Sequence, residues 1–328
     1  MDQYGYKLII WYSKINDPNG ECNFVCIDNA SFTIENYYKI IKKEKIDIVI
    51  NTLLKSNPGI FFYLASILIA KDQQIPVIYY GHGIHKQKNQ WWRNILYNLT
   101  YFFFNGIILY SPAEKSYIWK RFHHKITCAY NTLDIGEIHI KESKDLIKSR
   151  YNIRAPKILL TTGRLHPRKK IDLLCDIFVE YFKGSTEIAW ILVGTDLDSK
   201  IRKTIESLNN VYYLGPIYEK EKMGEIFSIA DVYCIPGALG LGIVEALYWG
   251  LPVVTMAVNH GPEGYYLKDG LNSLIAHDKI ELKEMVQELL FNDDKRTKLS
   301  VNAKKVYSEE ATLDKMFEGF ILQLKRIK

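Results

Sequence analysis

The stretch Pro236–Val254, PGALGLGIVEALYWGLPVV, sets three glycines and one carboxylate ahead of an apolar run, then Gly-Leu-Pro before a β-branched segment. Asp231–Ile235, just upstream, reads as a strand, Pro236-Gly237 as a turn, and Leu241–Trp249 as a helix stopped by Gly250. Open parallel sheets seat anions on this order of strand, Gly-rich turn and helix. The glycines let backbone approach a phosphate, and the helix start offers unpaired N–H groups and the positive end of its dipole. Standing alone, the stretch reads at least as well as a tight connection with a solvated Glu245. The rest of the chain has to decide.

Outward from that stretch, short β-branched runs alternate with amphipathic segments. The strand-like runs are Lys7–Tyr12, Asp47–Asn51, Pro76–Tyr80, Gly106–Tyr110, Ile126–Tyr130, Lys157–Thr162, Ala189–Val193, Val211–Leu214, Asp231–Ile235 and Pro252–Met256. Segments such as Ser31–Lys45 and Lys220–Ile229 between them have helical periodicity. This βαβα rhythm predicts an α/β chain of doubly wound parallel sheets with helices on both faces. At 328 residues two domains are the expectation. The charged, irregular segment Lys141–Pro156 ahead of a fresh strand places the boundary.

A second anion-seating candidate is TTGRLHPRKKIDLL, Thr161–Leu174, again between a strand and a helix. Gly163 permits the turn, and Arg164, Arg168, Lys169 and Lys170 fall within seven residues. Cations sit poorly at a helix start unless an anion is bound there. Arg forks two phosphate oxygens and Lys adds a point charge, which suits a diphosphate leaving group.

Composition narrows the partners. Residues 1–150 carry 19 Lys and Arg against 13 Asp and Glu, and the remainder 24 against 24, so the whole net charge of +6 lies in the first half. That asymmetry suits an anionic surface. The five cysteines are odd in number and scattered, which argues for a reducing compartment and against a disulfide framework. Cys22 and Cys26 have no second pair at ligand spacing. The amino terminus lacks the basic start and long apolar core of a signal peptide, and the longest apolar run, Phe61–Ala70, is too short to span a bilayer.

Taken together, GRLHPRKKIDLL, YLGPI, ADVYCIPGALGLGIVEALYWGLPVVT and GPEGYYLKDGLNSLI resemble the nucleotide-binding domain of retaining GT-B glycosyltransferases of family 4. IDIVI, IPVIYYGHG, NGIILYSPAEKSYI and ITCAYNTLD are similar, more weakly, to that family's acceptor domain. The resemblance implies two Rossmann-like domains facing a central cleft. Residues 1–150 would bind acceptor, residues 151–310 the nucleotide sugar, and residues 311–328 would form a helix packing back on the first domain. It also implies transfer of a sugar from a nucleoside-diphosphate donor with retention of configuration. In the family's pattern Arg164 and Lys169 hold the diphosphate, with Gly163 in the same turn. Glu245 binds the ribose, Leu239, Gly240 and Leu241 hold donor phosphate and sugar through backbone, and His82 reaches the donor sugar. Glu263 occupies a lesser acidic position.

Three departures follow. Eight residues before Glu245 the family's usual motif has a second Glu, and here stands Gly237; a PGxxGL subgroup shares this, which implies a changed sugar contact. Lys170 replaces a usual glycine. Lys7–Tyr12 resembles the family's second strand, with no Gly-rich loop after it, so the first β-α unit is expected to be missing.

Two further segments are weighed. Asp196-Leu197-Asp198 has the form of a metal-binding DXD, but it follows ILVGT at a strand end, where helix capping is the expectation. No catalytic metal or other cofactor is expected beyond the nucleotide sugar as co-substrate. Lys86–Asn105 mixes basic residues with Trp91, Trp92, Tyr97 and Tyr101 to Phe104. It reads equally as a helix at an anionic membrane interface or as a core helix.

The combined expectation is a cytoplasmic glycosyltransferase, peripheral at the inner face of the cell membrane, acting in surface polysaccharide synthesis. Its acceptor would be a glycan or polyprenyl-linked oligosaccharide, with no nucleic-acid partner. The rival readings are an inactive nucleotide-sugar-binding protein and a GT-B nucleotide-sugar epimerase.

Overall fold

A computed structural model describes residues 9–12, 25–28, 33–51, 59–82, 91–258 and 260–327. Lys7, Leu8, Cys22 and Lys86–Gln90 lie outside the described residues. The chain divides into two compact units, one of Met1–Ile108, Ile118–Ile126 and Arg326–Lys328, the other of Leu109–Tyr117 and Thr127–Lys325.

The first unit begins with β1 (Ile9–Tyr12) paired in parallel with β2 (Val25–Asp28) as a two-stranded sheet of its own. Helix α1 (Ile34–Lys43) follows, capped by Thr33, whose hydroxyl accepts from the Asn36 N–H. Then come β3 (Val49–Asn51), α2 (Gly59–Asp72), β4 (Val77–Gly81), α3 (Trp91–Thr100), β5 (Gly106–Leu109) and β6 (Ile126–Cys128). The four strands β3 to β6 lie side by side in sequence order. Every described residue of β5 is buried. Helix α3 turns Asn98 inward and leaves Trp91 and Trp92 exposed, while Tyr101 and Phe104, at the end of the same segment, are buried, so this stretch is part surface and part core.

In the second unit Lys141–Pro156 is not irregular as expected. It contains α4 (Lys144–Arg150), capped by Ser143 and tied by Arg150 to Glu225 at 2.7 Å, and Ile147, Ile153 and Ala155 are buried in the core. The charged residues lie on the outer side of a helix whose few apolar residues suffice to anchor it. The remaining elements are β7 (Lys157–Thr162), α5 (Ile171–Ile177), β8 (Ile188–Val193), α6 (Ser199–Glu206), β9 (Val211–Tyr213), α7 (Lys220–Ile229), β10 (Val232–Cys234), α8 (Gly242–Trp249), β11 (Val253–Met256), β12 (Ser273–Ala276), α9 (Lys279–Phe291), α10 (Asp293–Glu310) and α11 (Leu313–Ile327).

The six strands β7 to β12 form one parallel sheet in the order β12-β11-β10-β7-β8-β9. The chain runs outward from β7 to β9 on one side, then returns to lay β10 on the other side of β7. This is the doubly wound Rossmann order, and the reversal leaves a crevice at the carboxyl ends of β7 and β10. Two apolar layers cover the sheet, one with Ile158, Leu160, Ile243 and Leu247, the other with Leu159, Trp190, Phe178 and Leu289. Near-continuous apolar strands are what burial on both faces requires. Asp198 caps α6, its carboxylate accepting from the Lys200 and Ile201 N–H groups.

Candidate active site

Both glycine-containing stretches singled out in the sequence stand at this crevice. The loop after β7 carries Gly163 to Lys170, and the loop after β10 carries Pro236 to Leu241. Buried side chains fix the strand ends beneath them. The Thr161 hydroxyl donates to the Cys234 carbonyl at 2.7 Å and accepts from the Trp190 indole at 3.0 Å, while Thr162 and Tyr233 share a 3.0 Å hydrogen bond.

The two loops are joined through backbone. Gly237 N–H donates to the Lys169 carbonyl at 2.9 Å and Ala238 N–H to the Arg168 carbonyl at 2.8 Å. A Cβ on Gly237 would stand inside contact distance of the Arg168 carbonyl oxygen and 2.8 Å from Lys169 Cα. Only glycine fits there, so the absence of a carboxylate at this position follows from the close approach of the two loops. On the other side of β7, a Cβ on Gly194 (φ +152°) would strike the Gly163 carbonyl.

This clasp holds Lys169, which is buried with only 6% of its surface exposed. Its ammonium lies 3.7 Å from where a Cβ of Gly163 would be and 3.8 Å from where a Cβ of Gly240 would be, so bare backbone flanks it on both sides. Among the described residues it makes no hydrogen bond and no ion pair. Burial pushes its pKa down to about 8, Arg164 pushes the same way, and the Glu263 carboxylate opposes both. His166, in the same loop, is also held below its usual value, first by burial and then by Lys169, Arg168 and Arg164. Arg164 itself is exposed. The loop is a converging positive field without an internal counter-ion in bonding contact, the arrangement a bound polyanion completes.

Glu263 follows β11 in a short 3-10 turn, Pro262–Tyr266, and is buried. Its Oε1 accepts from Asn131 Nδ2 at 2.6 Å, and the Asn131 carbonyl accepts from the Tyr266 hydroxyl at 3.0 Å. Asn131 and Tyr266 escaped the sequence reading. Asn131 does stand just past a strand run, the position from which loops serve a parallel-sheet site.

Glu245 lies on α8 and lines a cavity of about 90 Å³ with Leu133, Asp134, Lys220, Met223 and Trp249. Lys169 is not among its walls. Burial alone raises the Glu245 pKa to about 7, and no protein hydrogen bond offsets that cost among the described residues. Leu239 is buried, and Leu241 precedes the first turn of α8, where Ile243 N–H closes back on the Gly240 carbonyl at 3.1 Å. His82 follows β4 in the first unit and is exposed. A surface hollow along the end of α9 is lined by Glu284, Glu288, Asp293 and Asp294, the wrong sign for a diphosphate.

Residues 143–306, half of the chain, match the family model described as glycosyl transferases group 1. Among curated proteins, poly(ribitol-phosphate) alpha-N-acetylglucosaminyltransferase of Staphylococcus aureus is 24% identical over 97% of this chain. The chain spans 65% of that relative's length. Alpha-monoglucosyldiacylglycerol synthase of Acholeplasma laidlawii is 22% identical over 84% of this chain and 75% of its own. Among solved structures, Anabaena HepE in complex with UDP superposes with a TM-score of 0.74 at 17% identity, covering 89% of this chain and 82% of that one. Its likeness shows the fold, which is GT-B.

Proposed function

We propose one reaction for this chain, starting from its family: it belongs to the group 1 glycosyl transferases. It moves a sugar from a nucleoside-diphosphate donor to a hydroxyl of a glycan or lipid-linked glycan, with retention at the anomeric carbon. The observation that carries this reading is the buried Lys169 side chain, whose ammonium stands between two bare glycine backbones and has no hydrogen-bond or ion-pair partner among the described residues. Desolvating a charge costs several kcal/mol, and a site that keeps one is completed by an anion.

In the mechanism the bond between the anomeric carbon and the leaving phosphate oxygen breaks, and a bond from that carbon to the acceptor oxygen forms on the same face. The acceptor hydroxyl's proton passes to the departing diphosphate. Lys169 and Arg164, with the backbone around Gly240 and the start of α8, take up the charge that grows on the leaving group, which is where preorganised electrostatics lowers a barrier most. Glu245 accepts the two ribose hydroxyls. Glu263 keeps Lys169 charged. His82 serves the donor sugar. Gly237 leaves one sugar contact to other groups. Asp198 is occupied as a helix cap, and the reaction needs no metal: the cations of the loop do that work.

The names of the curated relatives support an acceptor on a cell-surface polymer or glycolipid, and the UDP in HepE makes UDP the first nucleotide to try. The setting we infer is the cytoplasmic face of the cell membrane, in surface polysaccharide synthesis. Among the described residues no helix is long and apolar enough to cross a membrane. The test is calorimetric titration with UDP and a panel of UDP-sugars, followed by hydrolysis and transfer assays on the sugar that binds. Arg164→Ala should retain the fold, because the side chain is exposed, and lower turnover by roughly 10². Near-full activity of that variant on the true donor would refute the assignment. Nucleotide binding without turnover on any donor would favour the inactive binding protein instead, a reading that the missing carboxylate at Gly237 also allows.

A further inference from the structure

The polarity of α3 is inverted. Its exposed side chains are Trp92, Ile95, Leu96 and Leu99, and the 3-10 turn Tyr101–Phe103 that follows adds Phe102 and Phe103 to the same series. The spacing of three and four residues makes this one continuous stripe. Trp91, 66% exposed, extends it at the start. The side chain that α3 itself buries is polar: Asn98 is 2% exposed, its Oδ1 accepting from the Trp119 N–H at 2.8 Å and its Nδ2 donating to the Asn94 carbonyl at 2.8 Å, while the aromatic anchors of the segment, Tyr101 and Phe104, come after the helix. A helix that hides amides and shows indoles and phenyl rings is built for an apolar medium on its outer side.

The surroundings say which medium. The stripe is backed by Ile118–Ile126, where the Arg121 guanidinium lies 4.8 Å over the Phe102 ring and Phe122 packs edge-on against Phe102 at 4.9 Å. Lys125 donates to the Phe104 carbonyl at 2.7 Å and ties this segment to the turn. Residues 91–108 and 118–126 contain Arg93, Lys120, Arg121 and Lys125 and not one Asp or Glu. Aromatic residues flanked by cations alone fit the headgroup layer of an anionic bilayer, where indoles sit at the boundary and Lys and Arg meet lipid phosphates. A second copy of this chain would bring the same basic rim against itself.

We propose that the exposed face of α3 and Tyr101–Phe103, rimmed by Lys120 and Arg121, docks the protein on an anionic membrane surface. This goes beyond the transfer reaction and does not depend on it. The face belongs to the first unit and the residues assigned to the nucleoside diphosphate belong to the second, so membrane binding and UDP binding can be lost separately.

The experiment is sedimentation of the full chain with vesicles of phosphatidylglycerol and phosphatidylcholine, and with phosphatidylcholine alone, while tryptophan emission is followed. The protein should bind the anionic vesicles with a blue shift, bind the neutral ones at least tenfold more weakly, and lose affinity as salt rises from 0.05 to 0.5 M, roughly the range over which screening becomes severe. Trp91→Ser with Leu96→Ser, and separately Lys120→Glu with Arg121→Glu, should each lower partitioning at least tenfold while leaving the thermal transition and UDP titration unchanged. Failure of the parent to bind anionic vesicles would overturn the proposal. So would a Trp91→Ser/Leu96→Ser variant that unfolds, since it would show the face to be covered within the protein. A parent dimer that this variant converts to monomer, or an Lys120→Glu/Arg121→Glu variant that binds vesicles as the parent does, would also overturn it.

Discussion

Replacing Lys169 with methionine should make the empty protein more stable and the enzyme useless. Burial lowers the Lys169 pKa from its ordinary 10.5 to about 8. At about 1.4 kcal/mol per pH unit, keeping the ammonium charged at neutral pH costs the folded state about 3 kcal/mol. The sign follows from proton binding. The unfolded chain holds this proton more tightly, so stability rises as pH climbs from 8 to 10.5 and the full cost is present below 8. Methionine fills nearly the same space without charge, so Lys169→Met recovers up to that amount, a rise in Tm of roughly 5–10 °C for a unit of this size. The same change removes the cation from the leaving group, and turnover should drop by at least about 10². Binding supplies an independent reading. A diphosphate restores the lysine's proton affinity, so UDP titration near pH 8.5 in buffers of different ionisation enthalpy should show uptake of more than about half a proton by the parent and none by Lys169→Met. Thermal or urea unfolding of the free protein and the calorimetric titration decide the matter together. A variant less stable than the parent, or one that binds UDP equally well, would show that Lys169 is not a desolvated charge kept for an anion.

Two further substitutions probe the neighbouring groups. Gly237→Glu, which restores the acidic residue of the family's usual motif, should gain nothing: its Cβ collides with the 168–169 backbone, so urea unfolding should show a loss of roughly 1–3 kcal/mol and UDP affinity should fall. Tighter donor binding with unchanged stability would contradict this. Glu245→Gln should stabilise the free protein at pH 8, because a carboxylate whose pKa is raised to about 7 costs the fold increasingly as pH rises from 4.5 to 7. The same variant should weaken UDP binding by roughly one to two powers of ten, and 2′-deoxy-UDP should distinguish variant from parent far less than UDP does. An equal loss with both nucleotides would move the ribose contact elsewhere.

Sequence alone determined what depends on near neighbours in the chain. The β-branched runs became strands, Gly250 ends α8 at φ +71°, and Asp198 caps α6 rather than standing as a free member of a DXD pair. Each of these outcomes is decided within a turn or a few residues by backbone sterics and hydrogen bonding. Two strands lacked a sufficient local signal, Val25–Asp28 and Ser273–Ala276, and each exists by pairing along another strand, with β1 and β11 respectively. The candidate site was legible as residue types, since glycines and basic residues after strands are a local pattern. What those residues do was decided by the tertiary structure. Laying β10 beside β7 brings loops about seventy residues apart into backbone contact, and that contact excludes a side chain at Gly237 and strips water from Lys169. The same holds for α3, whose apolar periodicity reads alike for a core helix and an interfacial one. Which side faces out depends on Asn98 finding the Trp119 N–H, twenty-one residues further along the chain. Burial, pKa and close approach are properties of what surrounds a residue, and for these groups the surroundings come from distant parts of the chain.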